Sequence, residues 1–309
     1  MAKMATREAY GKTLAELIVK NENVIVLDAD LSKSTKTNDA KVACPSRHIN
    51  MGIAEANMMA TAAGLATSGN IVYASTFAMF AAGRAFEQIR NSIGYSHLNV
   101  KVCATHAGIS VGEDGASHQS FEDLALMRTI PGMVVICPSD DIETTQVINT
   151  ISEYKGPCYV RLGRSAVETI NTDPNYKFEI GKGYQLRKGS KIAIIANGLL
   201  VSESIKAYDI LKQEGIEVSV YNFPTIKPLD TKLLLEISNN YDTIITCEEH
   251  SVIGGFGSAI SEYLSEANPI KIVKVGQLDC FGESGKPDQL LKKYNMDSEY
   301  IISKVKENM

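Results

Sequence analysis

Short, nearly continuous apolar runs recur between longer stretches of helical periodicity along the whole of this chain. In the first half the runs are VIVLDA, NIVYAST, NVKVCATH, MVVICP and CYVRL. A strand wetted on one face alternates apolar and polar residues, whereas a strand covered on both faces has no need to. These runs therefore predict a mostly parallel sheet layered between helices, the α/β arrangement. Helical stretches fall between them, from Gly52 to Thr67, rich in Ala and Met, and from Met79 to Ile93. After the word PSDDIE, Ser139 is placed as the N-cap of another helix, with Asp140, Asp141 and Glu143 suiting its positive end.

A second series of the same kind follows, with KIAIIANG, EVSVYNF, TIITCEE and IKIVKVG as its strands. Between the first two, Val201, Ile205, Tyr208 and Leu211 recur at helical spacing, and Gly215 supplies the stop. The polar stretch from Glu168 to Ser190, with NTDPNY and RKGS, has no core-forming periodicity and is read as a boundary carrying at most a short strand. The expected plan is two consecutive α/β domains, 1–167 and 191–309, joined by 168–190.

Composition narrows the function classes. The 309 residues carry a net charge of −5 with no basic run, so there is no cationic footprint for nucleic acid or for an anionic membrane surface. The start, MAKMATREAYGKTL, lacks the apolar stretch of a signal peptide, and no apolar segment approaches the roughly 18 residues of a membrane span. The six cysteines form no CxxC pair, and several sit in strand-like runs, where a reduced thiol is expected. A reduced, cytoplasmic protein is the expectation.

Three segments carry more than scaffold chemistry. In MGIAEANMMATAAGLA, Glu55 is the only acid. It is either buried, with a desolvation cost that raises its pKa unless something pairs with it, or solvated at a helix start and stabilised by the dipole. In YASTFAMFAAGRAFEQIR, the spacing of Phe77, Phe80 and Phe86 by itself favours core aromatics on one helical face. In THAGISVGEDGASHQSFEDLAL, His106 and His118 bracket a glycine-rich loop that holds Glu113 and Asp114. Glycine lets a backbone approach a ligand closely, while His and Asp donate and accept protons. The loop lacks recognised metal-ligand spacing, and no metal site is assigned to this chain. The turn IGGFGSAI is not GxGxxG and reads as a tight strand-to-helix connection.

Taken together, the words ATRE, LDADLSKS, NMGIAEANM, STFAMFAAGRAFEQIR, THAGISVGEDGASHQSFEDLALMR, PGMVVICPSD and VRLGRS resemble the transketolase family, in family order over most of residues 5–165. FPTIKPLD and EEHSVIGGFGSAI extend the likeness more weakly into the second half. The resemblance implies a pyrimidine-binding domain for thiamine diphosphate followed by the transketolase C-terminal domain. It implies ketol transfer between sugar phosphates and a place in the pentose phosphate pathway. By the same resemblance, Glu55 hydrogen-bonds the aminopyrimidine, Phe80 stacks on it with Phe77 in support, and Asp30 lies near the thiazolium. His118 and His106 serve proton movement at the sugar, and Asp114 reads a donor hydroxyl. Arg7, Ser34, His106 and Arg164 hold the substrate phosphate, with Arg161 as a further candidate. Gly83 stands where the family has an aromatic wall.

The family's GDG word, which with a later asparagine pair holds the diphosphate and its divalent metal, is absent. The resemblance therefore implies a split enzyme. Mg2+ and the diphosphate would fall to an N-terminal partner chain, with two copies of each chain in the assembly. Two relatives compete with this reading: the β chain of a 2-oxo-acid dehydrogenase first component, and 1-deoxyxylulose-5-phosphate synthase.

Overall fold

A computed structural model describes residues 3–309. A short strand, β1 (Lys3–Ala5), leads into a sheet whose parallel members are β2 (Val24–Asp28), β3 (His48–Asn50), β4 (Ile71–Ser75), β5 (Val100–Ala104), β6 (Val134–Ile136) and β7 (Cys158–Arg161). Their spatial order is β6-β7-β5-β4-β2-β3. Every residue of β5, β6 and β7 is buried, as continuous apolar runs require when helices cover both faces. β8 (Ala166–Glu168) returns to pair antiparallel with β1.

The second sheet is built from β9 (Tyr184–Arg187), β10 (Ile192–Ala196), β11 (Ser219–Asn222), β13 (Thr243–Ser251) and β14 (Lys271–Gln277), once β12 (Thr225–Lys227) is set apart. Its order is β14-β13-β10-β11-β9, parallel except for β9. β9 lies within the stretch expected to be a boundary. β12 leaves this sheet altogether and adds antiparallel to β6 at the edge of the first. The cores are joined as well, because one apolar cluster runs from Leu27 and Val102 through Met127 and Ile226 to Phe223 and Phe256. The two α/β layers are thus welded along a shared core, and a site on one can be held by the other. Among the described residues no helix is long and apolar enough to cross a membrane.

Two local expectations need correction. Asp140, not Ser139, caps the helix Asp141–Glu153: its extended backbone lets the carboxylate accept from the Glu143 amide at 2.8 Å. Ser139 stands one residue outside, where its N–H and Oγ donate to the Glu143 carboxylate at 2.6 and 2.8 Å. The expected helix Met79–Ile93 is mostly π-turn, over Phe80–Arg84 and Ile89–Gly94, with one α-turn between. Such wide turns occur frequently at functional sites.

Candidate active site

Parallel strands aim their carboxyl ends at one edge of the sheet, and ligands of α/β proteins bind in the crevice outside that edge. Four connections leaving that edge carry the expected residues. Phe77 and Phe80 follow β4, and the His106–His118 loop follows β5. Asp30 and Ser34 follow β2, and Arg164 follows β7. Arg7, in the first turn of the helix Thr6–Lys20, ties two of these together: its Nη1 donates to the Ser34 carbonyl at 2.7 Å and its Nε to that of Arg164 at 3.3 Å.

The rings form one cluster. Phe77 stacks on His106 with centroids 3.9 Å apart and lies 5.8 Å from Phe80, the two phenyl planes nearly parallel at 14°. His118 meets Phe80 edge-on at 5.3 Å. His106 is buried, its Nδ1 2.9 Å from the Thr105 hydroxyl. Burial, then the charges of Arg7 and Arg164, push its pKa down to about 3, so it is neutral at physiological pH. Arg164 pairs with Glu113 at 2.7 Å, and this hydrogen bond holds the exposed Glu113 carboxylate below its usual range. Asp114 stands exposed at the end of the 3-10 turn Ile109–Asp114. Arg161, the further phosphate candidate, is instead buried in an ion pair with Asp123 at 2.9 Å, facing the second domain rather than the ring cluster.

Glu55 opens the helix Glu55–Thr67 and is only 4% exposed, which settles the burial alternative raised by its sequence setting. Its partner is Arg84, whose Nη1 lies 3.3 Å from one carboxylate oxygen, while the guanidinium covers the Phe80 ring at 4.2 Å. Arg84 went unforeseen, although its i,i+4 spacing from Phe80 is a usable signal. Asp30 stands apart from the rings. It bonds Asn50, whose side chain accepts from the Asp30 and Gly52 amides at 3.1 and 2.9 Å and so stitches the Asp30 turn to the entry of the Glu55 helix. Behind both, buried Asp28 accepts from the Leu31 amide and from the Thr35 and Thr37 hydroxyls, shaping the turn that carries Ser34.

A buried carboxylate beside a half-buried aromatic face suits a flat, hydrogen-bonding heteroaromatic ring. Among the described residues no three His, Cys, Asp or Glu are grouped to hold a metal ion. Residues 2–169 match the transketolase pyrimidine binding domain, and 181–301 match the transketolase C-terminal domain. The chain belongs to the transketolase family. It is 51% identical to a provisionally named transketolase C-terminal section of Methanocaldococcus jannaschii, over 98% of this chain and 96% of that protein. It is 37% identical to a 6-deoxy-6-sulfo-D-fructose transketolase subunit of a Clostridium species, over 96% and 92%. A solved split-gene transketolase, described as an inactive β4 tetramer, superimposes with a TM-score of 0.91 at 50% identity and covers 99% of this chain and 98% of that one. Transketolase domains of this kind imply use of thiamine diphosphate.

Proposed function

We propose that this chain is the C-terminal subunit of a split transketolase that moves a two-carbon ketol unit from a ketose phosphate to an aldose phosphate. The observation that carries the reading is the convergence of Arg7, Arg164 and neutral His106 on a ring cluster that ends at Phe80, with buried Glu55 behind it through Arg84. Two cations beside a base that burial, and then their own charges, keep unprotonated would make a receptor for an anionic substrate end.

Thiamine diphosphate, when bound, supplies the carbon nucleophile and the electron sink. On this chain Glu55 would hold the proton facing the pyrimidine nitrogen, Phe80 would give the stacking face, and Phe77 backs Phe80. Asp30 is assigned to the thiazolium side. His118 and His106 are placed to hold or move a proton at the sugar's carbonyl or adjacent hydroxyl oxygen, and Asp114 to accept from a donor hydroxyl. Arg7, Ser34, His106 and Arg164 bind the phosphate. The diphosphate and Mg2+ fall to an N-terminal partner chain, two copies of each chain completing a cytoplasmic assembly. The related structure described as an inactive tetramer of one chain type supports this division.

The test is co-expression with a diphosphate-binding half, followed by assays with ketose phosphates, hydroxypyruvate and pyruvate as donors. Ketose phosphates and hydroxypyruvate are expected to react, and Glu55→Gln is expected to lower turnover about a hundredfold or more with the fold intact. Pyruvate as the sole donor would favour one of the competing thiamine enzymes.

A further inference from the structure

We propose that Glu249, on β13 of the second domain, is a positioning residue that fixes the course of the His106–His118 loop; the catalytic meaning of that course rests on the function given above. A loop this rich in glycine has too much backbone freedom to hold two histidines in place unaided. Its near end is held from the other domain. The fully buried Glu249 carboxylate accepts the Ser110 amide at 2.6 Å. Gly108, at φ +77°, passes so close that a Cβ there would come within 2.5 Å of the same carboxyl group. One guanidinium then joins this strand to the far end of the loop. Arg161 Nη2 donates to the Glu249 carbonyl at 2.8 Å and to the Ser120 carbonyl at 3.2 Å, while its Nε binds Asp123 at 2.9 Å.

Apolar contacts reinforce both ends. Ile109 and Phe121 are buried in the second domain's core, in one cluster with Leu290 and Met296. Midway, Gly115 at φ +77° faces Ser284, whose Oγ lies 2.5 Å from where a Cβ would stand. The second domain thus forms a template against which the site loop is pressed. Burial of Glu249 disfavours its charged form, a penalty that a scaffold could avoid with an apolar side chain unless an acceptor of this reach were needed. A displacement of the loop by about 1 Å would cost on the order of a hundredfold in rate, because the reacting groups must meet at fixed distances.

Reach and charge can be separated by substitution in the assembled two-chain enzyme. Glu249→Gln keeps the reach and loses the charge; Glu249→Asp keeps the charge and is one methylene short of Ser110. Positioning predicts that the Gln variant retains turnover within about threefold, while the Asp variant loses at least about tenfold in kcat. The reverse pattern would show that Glu249 merely balances Arg161 and would overturn the proposal. Gly108→Ala, which drives a methyl group into the same carboxyl, is a second variant expected to reproduce the loss seen with Asp; wild-type turnover from it counts against the proposal. Amide exchange on the isolated chain supplies a measurement independent of activity. Glu249→Asp should speed exchange across residues 108–119 and leave β10 unchanged, and unaltered protection of the loop would overturn the inference. An assembled wild type that shows no ketol transfer would instead refute the functional reading, with the exchange measurement still deciding the role of Glu249.

Discussion

His106 shows how a single side chain is tuned by what surrounds it. Desolvation first, then the charges of Arg7 and Arg164, disfavour the protonated form of this imidazole, which stacks on Phe77. In the proposed phosphate site His106 would meet the substrate anion as a neutral imidazole, because burial, more than the neighbouring charges, keeps it unprotonated. We expect His106→Ala and Arg164→Ala to raise the KM for phosphorylated sugars by roughly ten- to a hundredfold, the worth of a charged hydrogen bond of about 1.5–3 kcal/mol. Hydroxypyruvate, which has no phosphate, should be affected much less. Steady-state kinetics on both donors checks this, and equal losses would place these residues away from the phosphate end. Arg84 is the residue that sequence reasoning passed over: its i,i+4 spacing could suggest a contact with Phe80, but nothing local signals that its guanidinium also reaches Glu55.

Among the elements, the helix Asp141–Glu153 is tied both to the linker and to the second domain. Its N-cap carboxylate has two tasks: one oxygen accepts the Glu143 amide, and the other accepts the Ile170 and Asn171 amides at 2.7 Å each. Glu143 then links Ser139 and Tyr176 to Asn222, which bonds it at 2.8 Å from β11. Burial raises the Glu143 pKa to about 7 even with these donors in place. Asp140→Ala removes a helix cap worth about 1 kcal/mol and strands the buried Asn171 amide, at about 1–3 kcal/mol, together with the part-buried Ile170 amide, so a loss of roughly 2 kcal/mol or more is expected. Urea unfolding measures it, and a loss below about 1 kcal/mol would mean that water or a rearranged segment satisfies those amides. The acid-rich word after Pro138 made a helix start legible; which residue caps it depended on backbone conformation, which composition does not encode.

At the scale of the whole molecule, the chain carries the transketolase pyrimidine binding domain, and among its described residues no three His, Cys, Asp or Glu are grouped as a metal cluster. Purified alone, it should fold and show neither transketolase activity nor tight, magnesium-dependent binding of thiamine diphosphate, because the diphosphate and its cation need oxygen ligands from a dedicated site. Adding the partner half should restore both. Calorimetry with cofactor and magnesium is the direct measurement, and tight binding or full turnover by the isolated chain would refute the split reading.

Strand runs and helix periods follow from local sequence, because burial on two faces leaves a compositional trace; the roles given to Glu55, Phe77, Phe80, His106 and His118 came only with the family resemblance. Pairing across long separations leaves none. That β12 would abandon its own domain for the edge of β6, that Arg84 would reach Glu55, and that Glu249 would reach Ser110 depended on which surfaces met once both sheets had formed. Such contacts are set by shape and by the need to satisfy every buried donor, and that need can be counted only after the chain has closed on itself.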